Sequence, residues 1–368
     1  MTGIVKRVRQ RGTVMRIGLG LYRHMLKTEN YRFARQCGCT DLIIHLAEYY
    51  ENEIVTATDE SRNYGESKSH DQIWELDSLL RIKEDAGKFG LAIYGIENFS
   101  PADWYDILLD GPEKNNQMKH LKQIIRNVGK AGIKSFGYNF SLAGVWGHQK
   151  KNVARGGALT TCFNAGELHI NAPIPRGQIW NMTFDSNAGA GYIEEIGAAE
   201  LWERFRWFLK ELLPTAEEAG VEMALHPDDP PMPKLRNTPR LVYRPELYQK
   251  AMETASPANK IELCLGSIQE MQGEDIYTVT ERYLAQGKVS YVHFRNVKGK
   301  VPNYTEVFVD EGDIDMLRIL RLMRKYRFEG VLVPDHTPLM TCDSPWHAGM
   351  AYAIGYMQAA IRACGEQG

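Results

Sequence analysis

Four side chains with metal-binding chemistry stand at equivalent places along this sequence. His226 closes the apolar run VEMALH, Cys264 lies in KIELCLG, His293 lies in VSYVHFR, and Asp335 closes EGVLVPD. Imidazole, thiolate and carboxylate together suit a divalent transition ion such as Mn²⁺, Fe²⁺, Co²⁺ or Zn²⁺. Taken singly, each has an ordinary structural role: a buried His is commonly a satisfied core residue, and a buried Cys packs as a small hydrophobe. Their recurrence at the same end of four successive runs is what points to a metal centre. Other polar residues share those ends. Glu97 and Asn98 close LAIYGIE, Tyr138 and Asn139 sit near the end of IKSFGYNF, and Asp228 and Asp229 follow His226. Arg295 and Asn296 follow His293, and His336 follows Asp335.

Residues so far apart in sequence meet only if a sheet brings their ends together. Short β-branched-rich runs fall at 15–20, 41–46, 91–97, 133–140, 221–226, 260–266, 289–295 and 329–335, and we read each as a strand. Helical periodicity lies between several of them. Residues 71–89 put Ile73, Leu76, Leu79, Leu80 and Ile82 near one face. Residues 197–219 form a second long pattern in which Pro214 is expected to kink or interrupt the helix, and residues 313–326 begin with Asp313 and Asp315. Eight strands alternating with helices predict an α/β chain, a single (β/α)8 TIM barrel spanning residues 1–368. The rival, an open doubly wound sheet, lacks a Gly-x-Gly-x-x-Gly after the first strand. In a barrel the βα loops converge at the C-terminal ends of the strands, where all of these polar residues fall. The spacing is regular except between strands 4 and 5, where an elaborated loop insertion of about residues 141–195 is expected to serve as a lid or binding element, or else as a surface decoration or oligomer contact.

The chain has 368 residues, 43% hydrophobic and 24% charged, with a formal net charge of −2. Such a balance suits a large globular core and gives no field for nucleic acid or an anionic membrane. No run of about 18 apolar residues predicts a membrane span. The N-terminal stretch is basic but lacks the apolar segment of a secretory leader. The six cysteines are scattered, and Cys37-Gly38-Cys39 lacks the second pair of a zinc knuckle, so we expect a cytoplasmic chain with reduced thiols. A homo-oligomer acting on a small molecule is the expected state.

The segments HPDDPP from His226, VHFRN through Asn296, GDIDM from Gly312 and PDH through His336 resemble the mannonate dehydratases, as do Gly132-Ile133 and Tyr138-Asn139-Phe140. The resemblance runs from about residue 15 to 360 and is strongest from 221 onward. It implies a xylose-isomerase-like barrel, Mn²⁺ held by His226, Cys264, His293 and Asp335, and dehydration of D-mannonate to 2-keto-3-deoxy-D-gluconate. Such an elimination removes the C2 proton and expels hydroxide from C3, so it needs a base, an acid and a cation to stabilise developing charge. His336 is our first candidate for base or acid, or else it orients Asp335. Arg295 is a candidate to hold the substrate carboxylate, or else a rim ion pair. Asp228 and Asp229 repel one another if both point inward, so one is expected to bind sugar hydroxyls or a supporting partner and the other to cap the loop. Glu97, Tyr138, Asn139 and Asn296 complete the expected substrate-binding set.

This chain departs from the family pattern after His336, with Thr337-Pro338 and then Pro345-Trp346-His347 in place of a Gly and a later Pro-Gly-Tyr. His347 stands where the family has a Tyr assigned to catalysis, which offers either a replacement acid–base group or a changed hexonate or uronate substrate. A metal-dependent sugar isomerase or epimerase on the same barrel is the alternative reading. A non-catalytic sugar-binding barrel is a second. A glycoside hydrolase, using Glu97 with Asp228, would leave the His and Cys residues without a purpose.

Overall fold

The computed structural model describes residues 15–48 and 64–366; the basic N-terminal stretch considered above as a leader lies outside them. Eight parallel strands close a barrel: β1 Arg16–Tyr22, β2 Asp41–His45, β3 Ala92–Glu97, β4 Ser135–Tyr138, β5 Glu222–Leu225, β6 Asn259–Cys264, β7 Val289–His293 and β8 Val331–Val333. Each falls within or overlaps an expected run. Neighbours in sequence are neighbours in the barrel, and β8 closes it by pairing with β1.

The barrel lumen is layered. Ile43, Tyr94, Ala224, Tyr291, Val331 and Val333 form an apolar cluster inside it. Glu97, Glu262 and His293 lie nearer the C-terminal ends of their strands. This order follows from the period of two along a strand, which sends alternate residues to the same face. Gly137 makes room for the polar layer. A Cβ there would fall 2.0 Å from the Tyr291 hydroxyl and 2.6 Å from a Glu262 carboxylate oxygen.

Helices depart from the expected pattern in physically simple ways. Residues 71–89 split into a 3₁₀ turn, Gln72–Trp74, and a helix, Leu76–Gly87, because Glu75 between them is extended and Asp71 caps the turn through the Ile73 amide. Leu80, placed on the buried face by periodicity, is 42% exposed. The helix Ala198–Ala219 continues through Pro214, so of the expected kink or interruption the interruption does not occur. Pro214 and Lys210, whose carbonyl loses its partner, are both exposed, so water can satisfy that carbonyl. The helix Met316–Lys325 begins at Asp315, whose carboxylate accepts from the Arg318 amide at 3.0 Å.

The insertion between β4 and β5 is built rather than loose. Its strands Gln149–Ala154 and Ala158–Asn164 form a hairpin that pairs with a second hairpin, Asn296–Lys300 and Asn303–Val307, which follows β7. Together they make a four-stranded antiparallel sheet. Among the described residues no helix is long and apolar enough to cross a membrane.

Candidate active site and metal centre

The ligand atoms of His226, Cys264 and His293 lie within 4.8 Å of one another. Cys264 and His293 are the last residues of β6 and β7, and His226 follows β5 directly, so three adjacent strands aim their ends at one point. His226 Nδ1 hydrogen-bonds the Pro227 carbonyl at 2.6 Å, which leaves Nε2 for a ligand. Asp335, two residues past β8, places Oδ2 3.5 Å from His293 Nδ1 and 3.3 Å from Arg295 Nε.

Charge at this point favours a cation. Burial pushes the Cys264 thiol up, but the Arg295 guanidinium and hydrogen bonds from His226 and His293 hold it well below its ordinary value, making it a thiolate. Burial likewise opposes ionisation of Asp335, yet His293, His336 and Arg295 keep it at about 2. Burial would lower His226, but Glu262 and Cys264 raise it to about 9. The anionic cluster thus draws protons onto imidazoles that a divalent ion would replace. Two buried atoms in this cluster, His293 Nδ1 and Glu262 Oε1, form no well-aligned hydrogen bond, although they face Asp335 Oδ2 at 3.5 Å and His293 Nε2 at 3.0 Å. Two imidazoles, a thiolate and a carboxylate converging at one buried point fit a divalent transition ion.

Glu262 was missed by the sequence reading. It approaches His293 Nε2 at 3.0 Å, and Glu97 approaches the same nitrogen at 3.0 Å. Glu97 also accepts from Tyr291 at 3.1 Å and lies 3.3 Å from His45 Nε2. Burial and the neighbouring Glu97 raise the Glu262 carboxyl to about 8. The signal for Glu262 and Tyr291 was present, because each stands two residues before a ligand on the same strand face.

Arg295 departs from the carboxylate-binding role considered for it. It is fully buried and bonds Asp229 at 2.7 Å, Ser267 Oγ at 2.9 Å, Cys264 Sγ at 3.3 Å and the Glu306 carboxylate, with Glu270 at 3.4 Å. Gly266 permits this, since a Cβ there would fall 2.6 Å from Arg295 Nε. Asp228 and Asp229 are both buried, and each has its own arginine. Asp228 pairs with Arg240 at 2.9 Å and accepts from the Leu241 and Val242 amides, which makes it the loop cap. Asp229 accepts from Arg295, Ser267 and Tyr304, and its Oδ1 lies 3.0 Å from His148 Nε2.

A cavity of ≈ 1050 Å³ opens over the cluster. Glu97, Asn139, His226, Asp229, Glu262, His293, Asp335, His336 and His347 line it, as do the aromatic faces of Trp146, Trp180 and Trp346. Of the expected substrate binders, Asn139 spends its amide on the His226 and Pro227 carbonyls. Tyr138 points away from the cavity and packs on Phe208 of the helix Ala198–Ala219. Asn296 gives all its polar atoms to backbone groups of residues 297, 309 and 314. His336 Nδ1 lies 2.9 Å from Glu306, which itself sits in the second hairpin. His347 Nε2 lies 3.0 Å from the Asn30 side-chain oxygen, with its ring against Phe33 and Trp346. The first hairpin adds Lys150, whose Nζ donates to Thr161 Oγ1 at 2.6 Å. Among the described residues Lys150 is the only lysine or arginine lining the cavity.

Comparison with known proteins places these features in context. A family model described as D-mannonate dehydratase (UxuA) matches residues 53–365. The mannonate dehydratase of Streptococcus pneumoniae (strain 70585) is 30% identical over 315 residues, covering 80% of this chain and 85% of that protein. The crystal structure of mannonate dehydratase from Streptococcus suis serotype 2 aligns with a TM-score of 0.76 at 25% identity, covering 95% of both chains. A xylose isomerase domain protein from Planctomyces limnophilus shares the barrel fold, with a TM-score of 0.58 at 11% identity over 95% of this chain and 99% of that one.

Proposed function

The chain belongs to the D-mannonate dehydratase (UxuA) family, and from that premise we propose that it removes water from a sugar acid, converting D-mannonate to 2-keto-3-deoxy-D-gluconate. The observation that carries this reading is the convergence of His226, Cys264 and His293, with Asp335 beside them, at the floor of a cavity that also presents His336. A divalent ion, for which Mn²⁺ is our first choice, held by those four residues would supply Lewis-acid stabilisation of the charge that develops as the C2 proton leaves.

The protein's own groups do the rest. His336 takes the C2 proton, and Glu306, hydrogen-bonded to its Nδ1 at 2.9 Å, stabilises the imidazolium that results. Arg295 holds Cys264, Asp229 and Glu306 in register without touching substrate. Lys150, in place of Arg295, holds the substrate carboxylate. Trp146 and Trp180 line the cavity and offer it apolar surface. Six unpaired cysteines agree with a cytoplasmic, reducing setting, and a homo-oligomer remains our expectation.

The test is a mass-resolved product assay on D-mannonate with purified protein, chelated and then reloaded with Mn²⁺. Loss of one water that depends on added metal and disappears in His226→Ala is the expected result. The carboxylate-rich pair Glu97 and Glu262 beside His293 is the feature that would suit a metal-dependent isomerase or epimerase. Turnover with conserved mass would establish that reading instead.

A further inference from the structure

We propose that His148, at the entrance to the inserted hairpin and backed by Asp229, is the general acid that protonates the hydroxyl leaving C3. The assignment rests on the dehydratase reading above. An elimination needs two proton-handling groups, one for the proton at C2 and one for the departing oxygen, and the cavity presents two suitable histidines from separate loops. His336 follows β8 and rests on Glu306. His148 follows β4, lines the same cavity and lies 3.0 Å from Asp229 Oδ1.

The surroundings of His148 are those of a proton donor. Its Nε2 is 3.0 Å from the Tyr304 hydroxyl, which donates to Asp229 Oδ1 at 2.8 Å. Asp229 is buried but stays ionised through Arg295 at 2.7 Å and Ser267 Oγ at 3.0 Å. The fixed carboxylate and the Tyr304 hydroxyl both face Nε2, which leaves Nδ1 as the nitrogen that exchanges a proton with substrate. His148 is 12% exposed at its side chain, so a charge there is only partly hydrated and the pairing with Asp229 matters.

Other histidines at the cavity are less suited. His347 has an amide partner, Asn30, which carries no charge to stabilise an imidazolium. His45 faces Glu97 at 3.3 Å, a carboxylate that also lies 3.0 Å from the proposed ligand His293. Burial also lowers the pKa of His45, which favours its neutral form.

The step balances. His336 accepts the C2 proton and the C–H electrons pass into the carboxylate as an enediolate, which C2 exchange reports; those electrons then form the C2–C3 double bond as the C3–O bond breaks. The proton of His148 joins the departing hydroxyl to release water. The enol then tautomerises to the 2-keto acid.

The experiment follows dehydration and C2 hydrogen exchange together, by NMR of D-mannonate in D₂O with Mn²⁺-loaded wild type, His148→Gln, His336→Gln and His347→Gln. We expect His148→Gln to lose about 100-fold or more in kcat, the range for a general acid, while KM, bound metal and C2 exchange persist. His336→Gln should lose both exchange and dehydration. Imidazole added to His148→Ala should restore turnover, which a merely structural role would not allow and which also serves if His148→Gln folds poorly. Wild-type kcat in His148→Gln, or loss of C2 exchange in it with metal retained, would overturn the assignment. So would a dehydration defect confined to His347→Gln. A wild-type protein that neither exchanges nor dehydrates any aldonate overturns the dehydratase reading itself, and the assignment with it.

Discussion

Arg295 is ringed by Asp229, Glu270, Glu306, Asp335 and the Cys264 sulfur, and it does not line the cavity. Its charge is therefore spent on holding anions at their places. A substrate carboxylate needs another cation, and Lys150 has its ammonium on Thr161 with no ion pair among the described residues. Lys150→Met should raise KM for D-mannonate by roughly 10- to 100-fold, the scale of a charge-assisted hydrogen bond of about 1.5–3 kcal/mol, with a smaller change in kcat; steady-state kinetics at two ionic strengths measure it. Acidity at the floor gives a second expectation. His226 sits at about 9 before a cation binds and must lose its proton to ligate, so metal affinity falls as pH falls below that value. Each unit should weaken binding about tenfold for that one proton, as read by competition titrations with Mn²⁺ at several pH values. An affinity independent of pH would remove His226 from the ligand set.

At the scale of elements, the strands were legible because each is a short apolar run, and the convergence of the candidate ligands was legible because they close such runs. What stayed hidden depended on contacts between distant segments. Glu262 lies inside β6 and reads as an ordinary strand residue until Glu97, from β3, and His293, from β7, are seen beside it. Tyr138 and Asn296 had the right position but the wrong direction, since one faces a helix and the other closes a backbone turn. The hairpin after β7 escaped notice because its strands carry Lys, Asn and Thr in place of an apolar alternation. Gly266 links an element to the site. Gly266→Ala should displace the Arg295 guanidinium and weaken Mn²⁺ binding although neither residue is a ligand. An overpacked position of this kind commonly costs about 1–3 kcal/mol of stability, so metal titration and thermal melting should both register it. Unchanged metal affinity with a lowered melting temperature would show that Arg295 does not tune the centre.

At the scale of the molecule, the proposed metal ligands stand at or just past the ends of β5, β6, β7 and β8, so a cation held by them would bridge half of the barrel circumference. Saturating Mn²⁺ at about 100 times its dissociation constant should add about 2.7 kcal/mol to stability and raise the melting temperature. Chelation should reverse the shift, and His226→Ala should show little of it. A wild-type melting curve indifferent to Mn²⁺ would place the ion elsewhere.

The sheet over the cavity joins a hairpin that follows β4 to one that follows β7, paired at Cys162 with Thr305 and Phe163 with Tyr304. The proposed working groups divide between them: His148, just before the first hairpin, and Lys150 within it, with Tyr304 and Glu306 in the second. Neither half has a counterpart until the other is in place. Loop exchange between relatives is therefore expected to succeed only in matched pairs, because a hairpin moved alone arrives without the edge it pairs with and without the residues that position its histidine. If the two hairpins supply these groups as proposed, a change of substrate in this barrel is expected to need both loops together.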